Sequence, residues 1–301
     1  MLTDRPAGHP ATRSAPGHPA TMAGMAKKVV SLLLASHPGP TLVVTLITAL
    51  LGVGLGYEPG RLAVLAAAIL CGQLSIGWSN DWLDAARDRA VERPDKPAAR
   101  GDVSVAAVRT AAFVALAAAV LVTIVLGPGA LAAHLVVIAG GWAYNLGLKS
   151  SLFSFVPFAV AFGLLPAVAT LGQQHPALPQ WWVYAAGALL GVAAHVTNVL
   201  PDLEDDARTG VRGLPHRLGA RPSGLLAFGA LAVGTLLITF GPGLPVRPLL
   251  LAGLVIGLAA AVTGVVLLLR RSPTRLLMQL IMTCAIVDVA MLALAGQSVT
   301  V

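Results

Sequence analysis

The sequence predicts an all-α polytopic membrane protein of nine transmembrane helices, and three observations predict it. Of 301 residues, 56% are hydrophobic and 11% charged, with a mean hydropathy of +0.81; a soluble domain carries about a quarter charged residues. Apolar runs of roughly 20 residues, the length that crosses a bilayer as a helix, recur along the whole chain. The basic residues are also one-sided: 18 of the 20 Lys and Arg fall on the side of the N-terminus when the spans are threaded in order.

The first 26 residues are rich in Pro, Ala, Gly and His, and "GHPAT" occurs at 8–12 and again at 17–21. Such low-complexity sequence cannot bury a core. The domain division is therefore a disordered tail, 1–26, and one transmembrane domain, 27–301. The paired histidine repeats have a competing reading as metal ligands, and Met22 and Met25 are alternative start sites. Lys27-Lys28 followed by "VVSLLLA" has the outline of a signal peptide, but the apolar stretch runs on and further spans follow, so it is read as the first helix.

The expected spans are approximately 30–56, 62–80, 105–126, 130–148, 152–171, 182–200, 223–240, 248–269 and 276–296, separated by Gly- and Pro-bearing breaks such as "GPGA" and "GPGLPVRP". Basic residues of the tail, of 81–109, of 201–222 and of 270–275 lie on one side together with Lys149; Arg61 and Arg247 lie opposite. The positive-inside rule puts the N-terminus in the cytoplasm and the C-terminus outside. An odd number of spans demands the same placement. The net charge of +7 is then a topology signal, and with no soluble domain to carry a basic surface, nucleic acid is not an expected partner. Cys71 and Cys284 fall inside spans and read as small buried residues. Sixteen arginines against four lysines, with abundant Ala and Gly, suit a GC-rich bacterial genome, so the expected site is the bacterial plasma membrane.

Against this apolar background the stretch "SNDWLDAARDRAVERPDKP", 79–97, stands out. Asp81, Asp84 and Asp88 advance by three and then four residues, so a helix places them on one face, with Asn80 beside them and Gln73 deeper. Three carboxylates on one stripe repel unless a cation joins them, and Mg²⁺ is held by carboxylates together with substrate phosphates. A solvated charged helix end is the alternative. A second cluster, "NVLPDLEDD" at 198–206, repeats the pattern: Asn198 precedes Asp202, Glu204, Asp205 and Asp206, and Asp202 and Asp206 share a face. Both clusters end a span on the same side, four helices apart, as an internal duplication would place them. Two facing stripes suit a diphosphate bridged by Mg²⁺. "YNLGLKSS", 144–151, ends a span on that side too; Tyr144, Asn145 and Lys149 follow at helical spacing, and Lys149 is either an interfacial anchor or a phosphate ligand. Arg212 and Arg217 are further phosphate-binding candidates.

"NDWLDAARD" resembles the NDxxDxxxD signature of the UbiA superfamily of intramembrane prenyltransferases. "DLEDDARTGVRGLPHRLG" is similar to that family's second signature, and "YNLGLK" to its tyrosine-lysine segment; the likeness runs over about 30–296. The resemblance implies a bundle of helices around a central cavity, capped by cytoplasmic loops. It implies Mg²⁺ and isoprenyl-diphosphate binding by Asn80, Asp81, Asp84, Asp88, Asp202, Asp206 and Lys149. There are departures. Gly213 stands where the family often has Thr or Ser, His216 is in an unusual place, Asp205 replaces a glycine, and His37 stands where many members have arginine before proline.

The expected reaction is transfer of an isoprenoid group from an allylic diphosphate to a small lipophilic acceptor, aromatic or quinone-type by default for the family, inside membrane lipid. Mg²⁺ on the carboxylates stabilises the leaving diphosphate and Lys149 adds charge. Trp78, Trp82, Tyr144 and Phe155 are candidates to face the allylic cation. Asp288, deep in the last span, is a candidate for acceptor binding or a hydrogen-bonded interhelical carboxyl, and His195 a candidate base or a packed histidine. Two alternatives stay open: a terpene cyclase of the same fold, and a divalent-cation transporter, whose carboxylates belong at the membrane midplane. A CDP-alcohol phosphotransferase is excluded, since "DAARD" lacks that family's DG pair and its later Asp spacing.

Overall fold

The computed structural model describes residues 22–203, 206, 210–270 and 275–301; among them the chain is helical, with a single isolated bridge between Pro179 and Thr300. Helix α1 (Met22–Leu34) starts inside the segment expected as tail, and α2 (Pro38–Gly54) follows after a 61° bend. The bend has a local cause. His37 precedes "PGP", proline disfavours the right-handed helical region for the residue before it, and His37 takes φ of 55° instead. The first expected span is thus broken in two.

Helix α3 (Pro59–Ala90) has 32 residues, about 48 Å of helix against a hydrocarbon core of about 30 Å. Its last turns therefore project beyond the bilayer, and the first acidic stripe lies on them. A short turn, α4 (Pro97–Arg100), follows in the loop; α5 (Val105–Ile124) is capped by the Ser104 hydroxyl, which accepts the Ala107 N–H. Next come α6 (Pro128–Leu146), α7 (Val156–Leu171) and α8 (Trp181–Val199). After the second acidic segment come the short α9 (Leu214–Leu218), then α10 (Ala220–Phe240), α11 (Pro248–Arg270) and α12 (Arg275–Ala295).

The expected count of nine spans is not reached among the described residues. Seven helices are long and apolar enough to cross a bilayer, and the bent α1–α2 pair makes an eighth. The remaining expected span, 152–171, is helical only as α7, whose 16 residues reach about 24 Å and include Pro166.

The helices close into a ring. α2 packs on α3, α3 on α5 and α6, α6 on α7, α7 on α8, α8 on α10, α10 on α11, α11 on α12, and α12 returns to α2. With no hydrophobic drive between helices in lipid, close approach of small residues holds such contacts. Gly187 and Gly191 on α8 show it: a Cβ at either would collide with a carbonyl of α7, that of Phe162 or of Phe158. Leu65, Ile69, Val168 and Trp182 lie in the interior, whereas Leu42, Leu46, Leu121, Val125, Val255 and Leu269 are largely exposed on the outside, an apolar belt that marks an integral membrane protein. At the end of the bundle away from the acids, Arg61 donates to the carbonyls of Gly172, Leu126 and Gln173. It closes helix ends there, which is why a basic residue stands on that side.

Candidate active site

The three carboxylates of α3 are interior. Asp81 is 1% exposed, Asp84 7% and Asp88 5%, which removes the reading of a solvated charged helix end. A buried carboxylate stranded without a partner costs several kcal/mol, so cations must meet these groups. Lys149, on the turn after α6, donates to both oxygens of Asp84, at 2.6 Å to Oδ2; Arg87 reaches the same oxygen at 2.8 Å and Asp88 at 3.9 Å. Asn80 Nδ2 donates to Asp84 Oδ2 at 3.2 Å and to Asn145 Oδ1 at 3.1 Å. Asn145 is itself fixed, its amide donating to Ser79 Oγ at 2.8 Å and to the Ile76 carbonyl at 3.0 Å. Burial pulls Lys149 below the ordinary lysine value, with the charge of Asp84 working against that shift.

Sequence reasoning missed Lys96. It counted only as one of the topology-setting charges, yet its ammonium is buried and central. It lies 3.5 Å from Asp81 Oδ1, donates to Asn80 Oδ1 at 3.2 Å, and meets His37 Nε2 at 2.8 Å. Asp81 Oδ2 also accepts the Ala98 N–H at 3.3 Å. The signal available was "RPDKP": prolines on both sides of a lysine bend the loop back over the acidic stripe. Arg87 was recoverable too, being three residues after Asp84 on the same helix. The departure at His37 acquires a role here, since the bend that exposes this ring to Lys96 is the α1–α2 break.

The second cluster is described in part. The side chain of Asp202, and Glu204, Asp205 and Arg208, lie outside the described residues. Asp206 is half-buried, with His216 Nε2 at 3.5 Å; burial pulls His216 down and Asp206 opposes it. The chain just after the second segment comes to the Lys149 turn: Gly213 lies against the Lys149 carbonyl, and the Leu214 N–H donates to Ser154 Oγ at 2.9 Å. Tyr144 packs edge-on against Phe158, ring centroids 5.1 Å apart, and against His195 at 5.8 Å. Asn198, Arg212 and Arg217 are exposed. Gly213 is explained by space: a Cβ there would meet the Lys149 carbonyl at 2.6 Å and Ser154 Oγ at 2.7 Å.

The other candidates are placed as follows. Trp82 packs with Phe113 and Trp142 between α3, α5 and α6; Trp78 Nε1 donates to the Leu32 carbonyl at 2.7 Å; Phe155 is half-buried at the start of α7. Asp288 is buried between α12 and α10, where Thr235 donates to it at 2.5 Å. Cys71 and Cys284 are free thiols.

The donor set fits a hard divalent cation. It is all oxygen; Asp88 Oδ2 is buried with no hydrogen-bond partner among the described residues, and Asp81 Oδ1 is buried with the Lys96 ammonium 3.5 Å away. Among those residues no three His, Cys, Asp or Glu side chains close on one point. Mg²⁺ is usually held by one or two carboxylates, with phosphates and water completing its shell.

The family model for the UbiA prenyltransferase family matches residues 38–286. The chain is 29% identical over 210 residues to the bacteriochlorophyll synthase 33 kDa chain of Cereibacter sphaeroides, covering 62% of this chain and 65% of that protein. It is 31% identical over 187 residues to 1,4-dihydroxy-2-naphthoate octaprenyltransferase of Mycobacterium tuberculosis, covering 58% and 64%. The alignments thus span just under two thirds of these curated relatives. A UbiA homolog from Archaeoglobus fulgidus solved with GPP and Mg²⁺ superposes with a TM-score of 0.69 at 16% identity, over 88% of this chain and 99% of that one. A digeranylgeranylglyceryl phosphate synthase structure gives 0.68 at 14%, over 91% and 99%. Those likenesses establish the fold, and the family match establishes the rest: the chain belongs to the UbiA prenyltransferase family.

Proposed function

We propose that this protein transfers an isoprenoid group from an allylic diphosphate to a small aromatic or quinone-type acceptor, with Mg²⁺ as cofactor. One observation carries the reading: three buried carboxylates of α3 and the cations Lys149, Lys96 and Arg87 share one cluster, and the chain following the second acidic segment seats Gly213 against the carbonyl of Lys149. A non-polar substrate with a multiply charged head needs such a charged patch at the rim of an apolar bundle. The solved homolog with GPP and Mg²⁺, and the relative named for 1,4-dihydroxy-2-naphthoate, support the donor and acceptor classes.

In this reading Asp81, Asp84, Asp88, Asp202 and Asp206 hold the metal, Asp202 by its place in the sequence alone. When bound, Mg²⁺ supplies Lewis-acid stabilisation of the departing diphosphate. Lys149 and Lys96 place fixed positive charge beside the diphosphate oxygens. Asn145 orients Asn80, and Asn80 in turn holds Asp84, which would be one of the metal's ligands. Tyr144 and Phe158 line the apolar side where the allylic carbon emerges and exclude water from it. The acidic end faces the cytoplasm of a bacterial plasma membrane with the N-terminus on that side, on the strength of the basic residues there.

The test is diphosphate release by the protein in nanodiscs with Mg²⁺ and donors from geranyl to long polyprenyl diphosphate, with and without aromatic acceptors, products being identified by mass. A mass-shifted adduct absent in Asp81→Ala and Asp84→Ala supports transfer. Acceptor-independent release of a cyclic product would replace the reading by a cyclase. No release in any combination would refute it.

A further inference from the structure

Ser154 is wholly buried and joins three segments. Its hydroxyl oxygen accepts the Leu214 N–H at 2.9 Å and lies 3.0 Å from His195 Nε2 on α8. Gly213 packs on its side chain and on the carbonyl of Lys149, which precedes it on the same turn. The backbone of Asp206 is in turn bonded to Val211, just before Gly213. A single hydroxyl therefore ties the Lys149 turn, α8 and the second acidic segment together. The His195 ring packs in a triangle with Tyr144 and Phe158, and its Nδ1 has no hydrogen-bond partner among the described residues, so Ser154 is the polar contact that fixes it. Tyr144 on α6 is a titratable group in ring contact with it.

We propose that the Ser154–His195 pair positions the second acidic segment over Lys149, so that Asp206 and Lys149 engage one diphosphate. The proposal rests on the diphosphate-binding reading above. Ser154 and His195 are positioning residues; the groups on the diphosphate are those already named.

The test is calorimetric binding of inorganic diphosphate with Mg²⁺ to the full chain in nanodiscs, for wild type, Ser154→Ala, His195→Leu and His195→Gln. Losing one hydrogen bond predicts about five- to tenfold weaker binding for Ser154→Ala and His195→Leu. His195→Gln keeps a side-chain amide near the position of Nε2 and is expected within about twofold of wild type on the same scale. If Ser154→Ala does not fold, the Leu and Gln variants still decide. Wild-type affinity in both Ser154→Ala and His195→Leu overturns the proposal, as does equal weakening in Leu and Gln. Equal loss of kcat in Leu and Gln with unchanged diphosphate affinity also overturns it, assigning the ring to proton transfer. Failure of wild type to bind diphosphate sinks the underlying reading and this inference with it, an outcome distinct from the others.

Discussion

Replacing Gly213 by threonine restores the residue type common in the family and is expected to damage this protein. The backbone there, φ −66° and ψ −179°, is open to any residue, so the objection is spatial. A Cβ would stand 2.6 Å from the Lys149 carbonyl oxygen, 2.7 Å from Ser154 Oγ and 3.0 Å from Ser154 Cβ. Relaxed carbon–oxygen contacts begin near ~3.3 Å, so the overlap is about 0.6 Å against two oxygens. One of them belongs to the main chain and cannot rotate away. Overpacking of this kind costs about 1–3 kcal/mol. If the segment escapes by lifting off Lys149, the same free energy appears as roughly five- to 150-fold weaker binding of Mg²⁺-diphosphate. Gly213→Ala should fall at the low end and Gly213→Thr at the high end. The assay is diphosphate titration in nanodiscs, with a thermal melt of each variant to read how much of the cost appears as lost stability. Gly213→Thr with wild-type affinity, melting temperature and turnover would refute the seating of this segment on the lysine turn.

Lys149→Met leaves Asp84 with Arg87 and Asn80, so the fold should survive with a melting-temperature loss smaller than complete isolation of a buried charge would give, while diphosphate release falls by about 10²-fold or more, as when a preorganised electrostatic group is removed; unchanged release would remove Lys149 from the site. Lys96→Met strips Asp81 of its ion pair and Asn80 of a donor, and should weaken Mg²⁺-dependent donor binding by about tenfold or more; a variant with the wild-type KM for donor would show that the loop lysine is only structural. Asp288→Asn can still accept from Thr235, so KM for donor and for acceptor should both stay within about twofold of wild type, read as an ordinary surface-free hydrogen-bond replacement; a selective rise in acceptor KM would instead place Asp288 at the acceptor.

The helices were legible because lipid imposes one constraint on every span, a run of apolar residues of fixed length. That rule failed at the two places where local chemistry overrides length. "HPGP" breaks the first span at His37, and the 152–171 run spends its first residues on a turn that serves Ser154 and Lys149. The acidic stripe was legible because carboxylates are rare in such a chain and their spacing of three and four has one helical meaning. Its burial was not, since the residues that cover it, Lys96 and His37, come from a loop and a bend that periodicity does not reach. Ser154 had no signal at all: a serine between apolar residues is unremarkable until Leu214 is brought to it.

The ion pairs on Asp84 bear on the order of events. Lys149 and Arg87 are tethered to the same fold as the carboxylate, so they compete with any arriving cation as intramolecular ligands. Free Mg²⁺ alone must displace them and leave the buried Lys149 and the partly exposed Arg87 without their carboxylate counter-ion. A diphosphate that arrives with its metal offers each ammonium and guanidinium a new anion as the carboxylate takes the metal, so the exchange conserves charge at every stage. On the proposed reading, metal and donor therefore bind with positive linkage, each raising the affinity for the other, and the protein at rest holds its acidic stripe already neutralised by its own cations.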